Sequence, residues 1–415
     1  MQRYASILYP LFSDNLTGKV LIEMFNIQTL NKIAACGTSI FDKSSYTVAD
    51  DVQNPDAIMV RSAKMHDMEF APNLLAIARA GAGVNNIPVD KCAEQGIVVF
   101  NTPGANANGV KELAIAGMIL ASRDVIGGAN WVQANKADPD IAKSVEKNKS
   151  QFAGTEIKGK TLGIIGLGAI GGPLGNAALS LGMTVLGCDP YISIDAAWNL
   201  SKDIQKVKTR EEIFRNSDYI SVHTPLVVND DPNVNTKHMI NAETIAMMKD
   251  GVIIMNFARD TLVDDEAMEA ALKSGKVRRY ITDFPNEKTA NMEGVIAIPH
   301  LGASTEESED NCAVMAANEL VEYLENGNII NSVNYPNAEM NAEGTKICVM
   351  HKNIPDVISQ LTSVLGDAKI NIDNMVSKSK KDYAYTMLDA AGAITDDIVS
   401  KLSAVDSVIK VRIIK

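Results

Sequence analysis

The uncharged stretch 161–188, TLGIIGLGAIGGPLGNAALSLGMTVLGC, closed by Asp189, constrains this chain more than any other segment. An apolar run (162–165) leads into Gly166-Leu-Gly168-Ala-Ile-Gly171; a small-residue, helix-like stretch and a second apolar run follow. Strand, glycine turn, helix and strand, with an acid about twenty residues past the glycines, form the pattern of a dinucleotide-binding βαβ unit. Gly166 allows the tight turn, Gly168 lets the backbone approach a pyrophosphate, and Gly171 lets the helix pack close to the sheet. The helix N-terminus then faces the phosphate charge. Asp189 is placed to accept hydrogen bonds from the adenosine ribose hydroxyls and would repel a 2′-phosphate, so NAD is expected over NADP. A membrane span competes, because 28 uncharged residues would cross a bilayer. The many glycines, with Pro173, Asn176 and Ser180, deny the segment the bulky apolar surface that lipid requires.

At 415 residues the chain exceeds one compact core, so two or three domains are expected. A net charge of −12 argues against nucleic acid or an anionic membrane as a general partner. An anionic substrate would need a local basic pocket set against that field. The five cysteines (Cys36, Cys92, Cys188, Cys312, Cys348) are scattered without a CxxC pair, as expected of reduced thiols rather than of a disulfide or metal framework. The first residues, MQRYASILYPLFSDN, lack a signal-peptide core, because Pro10 and Asp14 break the apolar stretch. A cytoplasmic protein is the expectation.

Short apolar runs recur along the chain, each ending in polar or small residues. They are 57–60 ending on Arg61-Ser62, 74–80 on the Gly81–Asn86 segment, and 96–100 on Asn101-Thr102-Pro103-Gly104. Later come 219–222 ending on His223-Thr-Pro, 252–255 on Asn256-Phe-Ala-Arg-Asp260, 280–282 on Asp283, and 295–298 on Pro299-His300. Such runs predict parallel α/β sheets whose carboxyl edges carry the site. Residues 111–123 predict a helix, and the polar tract 133–158 a surface excursion. From about Asn331 the chain turns linker-like. Its last seventy or so residues predict a βαββαβ order, with strands at 346–350, 371–376, 383–389 and 408–414 and helices at 355–367 and 395–405, a ferredoxin-like layout.

At these residues the chain resembles the D-isomer-specific 2-hydroxyacid dehydrogenases. The resemblance rests on RSAKM at Arg61, RAGAGVNNI at Arg79, NTPGANANGVKEL at Asn101, GLGAIG with Asp189, and HTPL at His223. It continues in NFARD at Asn256, TDFPNE at Thr282, PHLGASTEES at Pro299 and VNYP before the final module. It implies an α/β protein with a Rossmann-type doubly wound nucleotide domain (106–300) inserted in a discontinuous flavodoxin-like substrate domain (1–105 and 301–332). A linker (333–344) and a ferredoxin-like ACT regulatory domain (345–415) complete it. Crossings near 105 and 301 would serve as a hinge.

Oxidising a secondary alcohol by hydride transfer needs a base, a cation for the substrate carboxylate, and a cofactor held face-on. By motif match His300 is the general acid/base, since imidazole is the side chain that ordinarily titrates around neutral pH. Glu287 would orient it, although the motif is one residue shorter than usual and Lys288 replaces the proline that normally follows. Arg259 would hold the carboxylate through its planar fork; Asp260, where glycine is usual, could compete for it. The resemblance adds cofactor contacts at Gly166, Gly168, Ala169, Ile170, Gly171, Asp189, Thr224, Phe257, Ala258, Arg259, Asp283, His300, Gly302 and Ala303. Ala82 stands where a cofactor-contacting threonine is common. Substrate contacts are expected at Arg61, Ser62, Lys64, Gly83, Val84 and Arg259, with Arg79 as a further cation.

The C-terminal module points to the branch of the family that oxidises 3-phospho-D-glycerate on the way to L-serine. His351, Asn353 and Asn371 match positions that contact an L-serine effector, and Asp356 stands where glycine is usual and could cap the following helix. A homodimer or homotetramer is implied. The alternatives are another 2-hydroxyacid dehydrogenase, acting on glyoxylate, hydroxypyruvate or 2-oxoglutarate, and a non-catalytic NAD-sensing protein.

Overall fold

Three sheets carry the alternation of apolar runs, in a computed structural model that describes residues 24–414. The N-terminal stretch considered for a signal peptide lies outside the described residues. The first sheet comprises β1 (Phe25–Leu30), β2 (Tyr46–Ala49), β3 (Ala57–Val60), β4 (Ala76–Arg79) and β5 (Val98–Asn101). All its pairings are parallel, in the order β2-β1-β3-β4-β5, which is flavodoxin-like. β3 is buried along its whole length, as a parallel strand covered on both faces must be.

The second sheet comprises β6 (Thr161–Ile165), β7 (Thr184–Cys188), β8 (Gln205–Lys206), β9 (Tyr219–Val222), β10 (Val252–Asn256), β11 (Val277–Thr282) and β12 (Val295–Ala297). Its order is β12-β11-β10-β9-β6-β7-β8, again wholly parallel. The chain winds outward from β6 through β8 and then restarts at β9 on the other side. The crevice between β6 and β9 is therefore the topological switch point, where ligands bind in open α/β sheets. After this sheet the helix Glu306–Asn326 returns to the first one: Ala316, Leu320 and Tyr323 share a core with Ile27, Met59, Val98 and Phe100.

The third sheet, β13 (Thr345–Lys352), β14 (Asn371–Lys380), β15 (Tyr383–Ala391) and β16 (Val408–Ile414), is antiparallel in the order β14-β15-β13-β16. Helices Val357–Asp367 and Asp396–Ser403 cover one face, packing on Ile347, Val349, Leu388 and Ala390. The alternate residues Cys348, Met350, Tyr385 and Met387 point the other way and join the core of the first sheet.

One expectation holds with added detail, and one needs correction. The polar tract 133–158 is an exposed excursion, but a helical one. Helices Val125–Ala134 and Ile141–Asn148 contain no buried residue. Asp124 caps the first, accepting from Gly127 N at 2.9 Å, and Asp138 organises the entry to the second through Asp140 N and Ser144 Oγ. The linker-like segment is packed. Tyr335 is fully buried, with its hydroxyl donating to Ala93 O at 2.7 Å. Asn334 accepts from Val99 N at 2.9 Å and donates to Ile97 O at 2.8 Å, so its amide takes the place of a strand beside β5. Among the described residues no helix is long and apolar enough to cross a membrane.

Candidate active site

The glycine turn leaves β6 at the switch point. Gly166 has φ +93°, and a Cβ there would stand 2.5 Å from His223 O at the end of β9, so the turn and the neighbouring strand end meet backbone to backbone. A Cβ on Gly171 would stand 1.9 Å from Gly166 O, which fixes how closely helix Gly171–Ser180 starts against the turn. Gly168, by contrast, faces open space. Asp189 follows β7, where Oδ2 accepts from Leu167 N at 2.8 Å and Oδ1 from Tyr191 N at 2.9 Å. Its carboxylate is thereby held beside the turn, with lone pairs to spare for ribose hydroxyls. Thr224 Oγ1 and Asp283 Oδ1 are buried without a partner. Buried polar atoms without partners are rare, and here a bound dinucleotide would supply them. The residues present therefore fit NAD.

A cleft of about 700 Å³ opens next to this turn. Ile170, Phe257, Arg259, Asp283, His300, Gly302 and Ala303 line it from the second sheet's side. Asn256, fully buried at the end of β10, shapes the Arg259 turn: its Oδ1 accepts from Ala258 N at 3.1 Å and its Nδ2 donates to Arg259 O at 2.7 Å. Phe284 then gathers the chemistry. The His300 ring lies 4.4 Å from its centroid, and the Arg259 guanidinium carbon 5.9 Å. Asp283 is 1% exposed and its Oδ2 accepts from Gly302 N at 3.2 Å. Burial pushes its carboxyl above the ordinary value, against the opposing pull of His300 and Arg259. His223, the other histidine near the switch point, is held neutral by burial, down to about 4, and bonds Ser221 Oγ at 2.8 Å. His300 is the imidazole that faces the cleft.

Asp260 does not compete for Arg259. Its Oδ1 accepts from Thr261 N at 2.8 Å, and it lines a separate depression with His238 and Asp264. Glu287 is not brought to His300 either; it is exposed and lies outside the cleft. The short loop that carries it is tied to helix Asp265–Ser274 on both sides. Asn286 Nδ2 donates to Asp265 Oδ2 at 2.7 Å, and Lys288 pairs with Glu266 and Glu269. A loop one residue shorter and anchored in this way aims the carboxylate at solvent.

From the first sheet's side Arg61, Arg79, Gly83 and Val84 line the cleft, together with Lys32 and Glu309, which sequence reasoning missed. Ser62 and Lys64 are exposed and do not line it; the Ser62 and Ala63 amides are taken by Asn31 Oδ1. Lys32 lies outside every recognisable motif, so only folding brings it to the site.

In the third sheet His351, Asn353 and Asn371 are each engaged within their own chain. His351 is 3% exposed, with Nε2 2.9 Å from Thr386 Oγ1 and Nδ1 2.8 Å from Lys352 O. Asn353 donates to Lys381 O and Asn371 to Asp373 Oδ1. Asp356 has φ +72°, the left-handed region that explains a glycine preference. Its side chain does not cap helix Val357–Asp367 but accepts from Gln360 Nε2 at 3.1 Å.

Comparison with known proteins agrees with this geometry. The family model for the D-isomer specific 2-hydroxyacid dehydrogenase NAD binding domain matches residues 115–302. D-3-phosphoglycerate dehydrogenase of Haemophilus influenzae is 31% identical over 360 residues, 84% of this chain and 83% of that one. Hydroxypyruvate reductase of Thermotoga maritima is 37% identical over 281 residues, 65% of this chain and 83% of that one. Among solved structures, NAD+-bound 3-phosphoglycerate dehydrogenase of Entamoeba histolytica is 28% identical with TM-score 0.57, covering 75% of this chain and 99% of that one.

Proposed function

The chain belongs to the D-isomer-specific 2-hydroxyacid dehydrogenase family and is an NAD-dependent oxidoreductase, and on that premise we propose that it oxidises 3-phospho-D-glycerate to 3-phosphooxypyruvate, feeding L-serine synthesis. Bound NAD would supply the acceptor for the hydride that leaves the substrate's C2. His300 takes the hydroxyl proton, so that loss of hydride and proton leaves the carbonyl. Arg259 holds the C1 carboxylate and polarises the forming carbonyl oxygen. Asp283, beside His300, favours the imidazolium once the proton has moved. Glu287 has no part in this proton path while its loop stays tied to helix Asp265–Ser274. Lys32, Arg61 and Arg79 form the cationic end of the cleft that suits a phosphate.

One observation carries this assignment: His300 and Arg259 rest against the same Phe284 ring, in a cleft that also receives Ile170 from the glycine turn. The test is a panel of phosphorylated and plain 2-hydroxy and 2-keto acids followed by NADH absorbance, with His300→Asn alongside. Turnover is expected to fall by about 10²–10⁴-fold in the variant while NADH binding survives. Near-normal turnover would remove His300 from its role, and an inert wild-type protein that binds NADH would favour a sensor.

A hydroxypyruvate or glyoxylate reductase is the second assignment. It is favoured by one feature, the pairing of Arg61 with Glu309, which neutralises a cation a phosphate would use. L-serine as effector is supported by the ferredoxin-like module and by the match of His351, Asn353 and Asn371 to effector-contacting positions, the first two at the C-terminal end of β13 and Asn371 at the opposite end of the sheet, where β14 begins. Pairing of two copies is supported by the excursion, whose Val125, Ile126 and Val132 are 41–49% exposed.

A further inference from the structure

Glu309 stands in the first turn of helix Glu306–Asn326, and its Oε1 lies 2.5 Å from Arg61 Nη2 at the end of β3. Both side chains line the cleft, and each is 42% exposed. Arg79 lies alongside, donating from Nε to Arg61 O at 3.1 Å. Of the two carboxylates that line the cleft among the described residues, Asp283 is buried and bonded to Gly302 N, on the His300 side. Glu309 is thus the carboxylate that answers the cations Lys32, Arg61 and Arg79. β3 and helix Glu306–Asn326 pack in one core, so the pair does not latch the cleft shut; it sets the charge at one end of it.

We propose that Glu309 is a specificity-determining residue, an internal anion that occupies Arg61 in the empty cleft and holds the preference for phosphorylated acids below what the cations alone would give, because a dianionic tail must displace it to reach that guanidinium. A phosphate carries nearly two charges at neutral pH and three acceptor oxygens, so it outbids a single carboxylate for a guanidinium. A neutral hydroxyl forms only an uncharged hydrogen bond and leaves Glu309 in place. Once released, the Glu309 carboxylate keeps a favourable position in the N-terminal field of its helix, which makes the exchange easy. Acids with a phosphorylated tail would then engage Arg61 at the expense of one weak, half-exposed ion pair, while acids with plain tails would never reach it. This inference rests on the 2-hydroxy acid assignment above and names the group that discriminates within it.

The test compares wild type, Glu309→Gln, Arg61→Gln and the double variant as full-length proteins, with 3-phospho-D-glycerate and D-glycerate as substrates. Removing the competitor is expected to shift the ratio of the two kcat/KM values about fivefold toward the phosphorylated acid. Calorimetric titration with inorganic phosphate in the presence of NAD is expected to show tightening of about the same factor, and the gain should vanish when Arg61 is also replaced. An unchanged ratio with unchanged phosphate affinity overturns the proposal, as does a gain that persists without Arg61. If neither acid is turned over, the dehydrogenase assignment fails, and the phosphate titration still decides the role of Glu309.

Discussion

Phe284 is the residue on which the candidate chemistry turns, although it titrates nothing and carries no charge. With the imidazole of His300 on it at 4.4 Å and the guanidinium of Arg259 at 5.9 Å, its ring spaces the proton acceptor from the carboxylate clamp. Misplacing reacting groups by about an ångström can lower the rate about 10²-fold. Phe284→Ala is therefore expected to reduce kcat/KM by about that factor, with Phe284→Leu intermediate and NADH binding retained. A loss of less than about threefold in the alanine variant would show that the two side chains hold their places without the ring. Glu287 makes the contrasting case. Because Asn286 and Lys288 tie its loop outward, Glu287→Gln is expected to keep turnover within about threefold and to leave the pH profile of kcat/KM unmoved. A displaced profile would show that the loop swings in during the cycle.

At the scale of elements, the glycine turn and the helix Glu306–Asn326 make opposite demands. Helix Gly171–Ser180 begins so close to the turn that Gly171→Ala would set a methyl 1.9 Å from Gly166 O. Overpacking of this kind costs roughly 1–3 kcal/mol, so the variant is expected to melt lower and to bind NADH more than tenfold more weakly in a fluorescence titration. Unchanged affinity would mean that the helix can retreat. The longer helix instead buries an acid. Glu319 is 5% exposed, its Oε1 accepts from Asn331 Nδ2 at 2.8 Å, and its Oε2 has no partner. Burial raises it from the ordinary 4.5 to about 8, despite the Asn331 bond. Between those two values the folded protein holds a proton that the unfolded chain has lost, so stability falls as pH rises through this window. Glu319→Gln should flatten that slope, with little change in melting temperature at pH 5 and a clear increase at pH 8.5; equal shifts at both would exclude the titration. Such elements differ in how far the sequence shows them. β3 and β9 are legible to the residue, because each is a short β-rich run closed by Arg61 or His223, and β16 by its alternation of apolar residues with Lys410 and Arg412. The end of β14, SKSK, is polar and nowhere fully buried, and takes its strand character from pairing with β15. The excursion helices bury nothing, so their place on the surface follows from the chain around them rather than from an apolar face turned to a core. Arg259 and His300 could be read from local motifs, whereas Phe284, Lys32 and Glu309 acquire roles only through distant neighbours.

Across the whole molecule the third sheet is no appendage on a tether. Cys348, Met350, Tyr385 and Met387 lie in the core that also holds Phe100, Leu320, Tyr323 and Tyr335, so both faces of that sheet are covered. Its inner strands β13 and β15, buried on both faces, therefore read as nearly continuous apolar sequence, whereas the edge strand β14 does not. The junction is strongest where the helix Glu306–Asn326 ends. The last carbonyls of a helix have no partner within it, and here the third module supplies the donors. Arg412 Nη1 and Nη2 reach Tyr323 O and Leu324 O at 3.1 and 3.0 Å, Lys346 Nζ reaches Asn326 O at 2.6 Å, and the Tyr385 hydroxyl reaches Gly327 O at 2.7 Å. The Arg412 guanidinium also lies 4.6 Å over the Tyr323 ring, and cations at a helix C-terminus are favoured by its dipole. Lys410 and Lys380 extend the seam, donating to Leu74 O and Ser332 O. Arg412→Ala would leave Leu324 O short of a donor, Tyr323 O keeping Gly327 N at 3.0 Å, and would open a void beside Tyr323, a loss of about 2–4 kcal/mol. The same helix carries Glu309 and Cys312 into the cleft at its other end, so loosening its C-terminus would be felt there as well. The variant is expected to melt several degrees lower, to be cleaved faster by limiting protease between residues 341 and 345, and to show a raised KM for substrate with NADH affinity intact. Melting and cleavage equal to wild type would mean that apolar contact alone seats the module, and that the guanidinium merely lies against a joint already made.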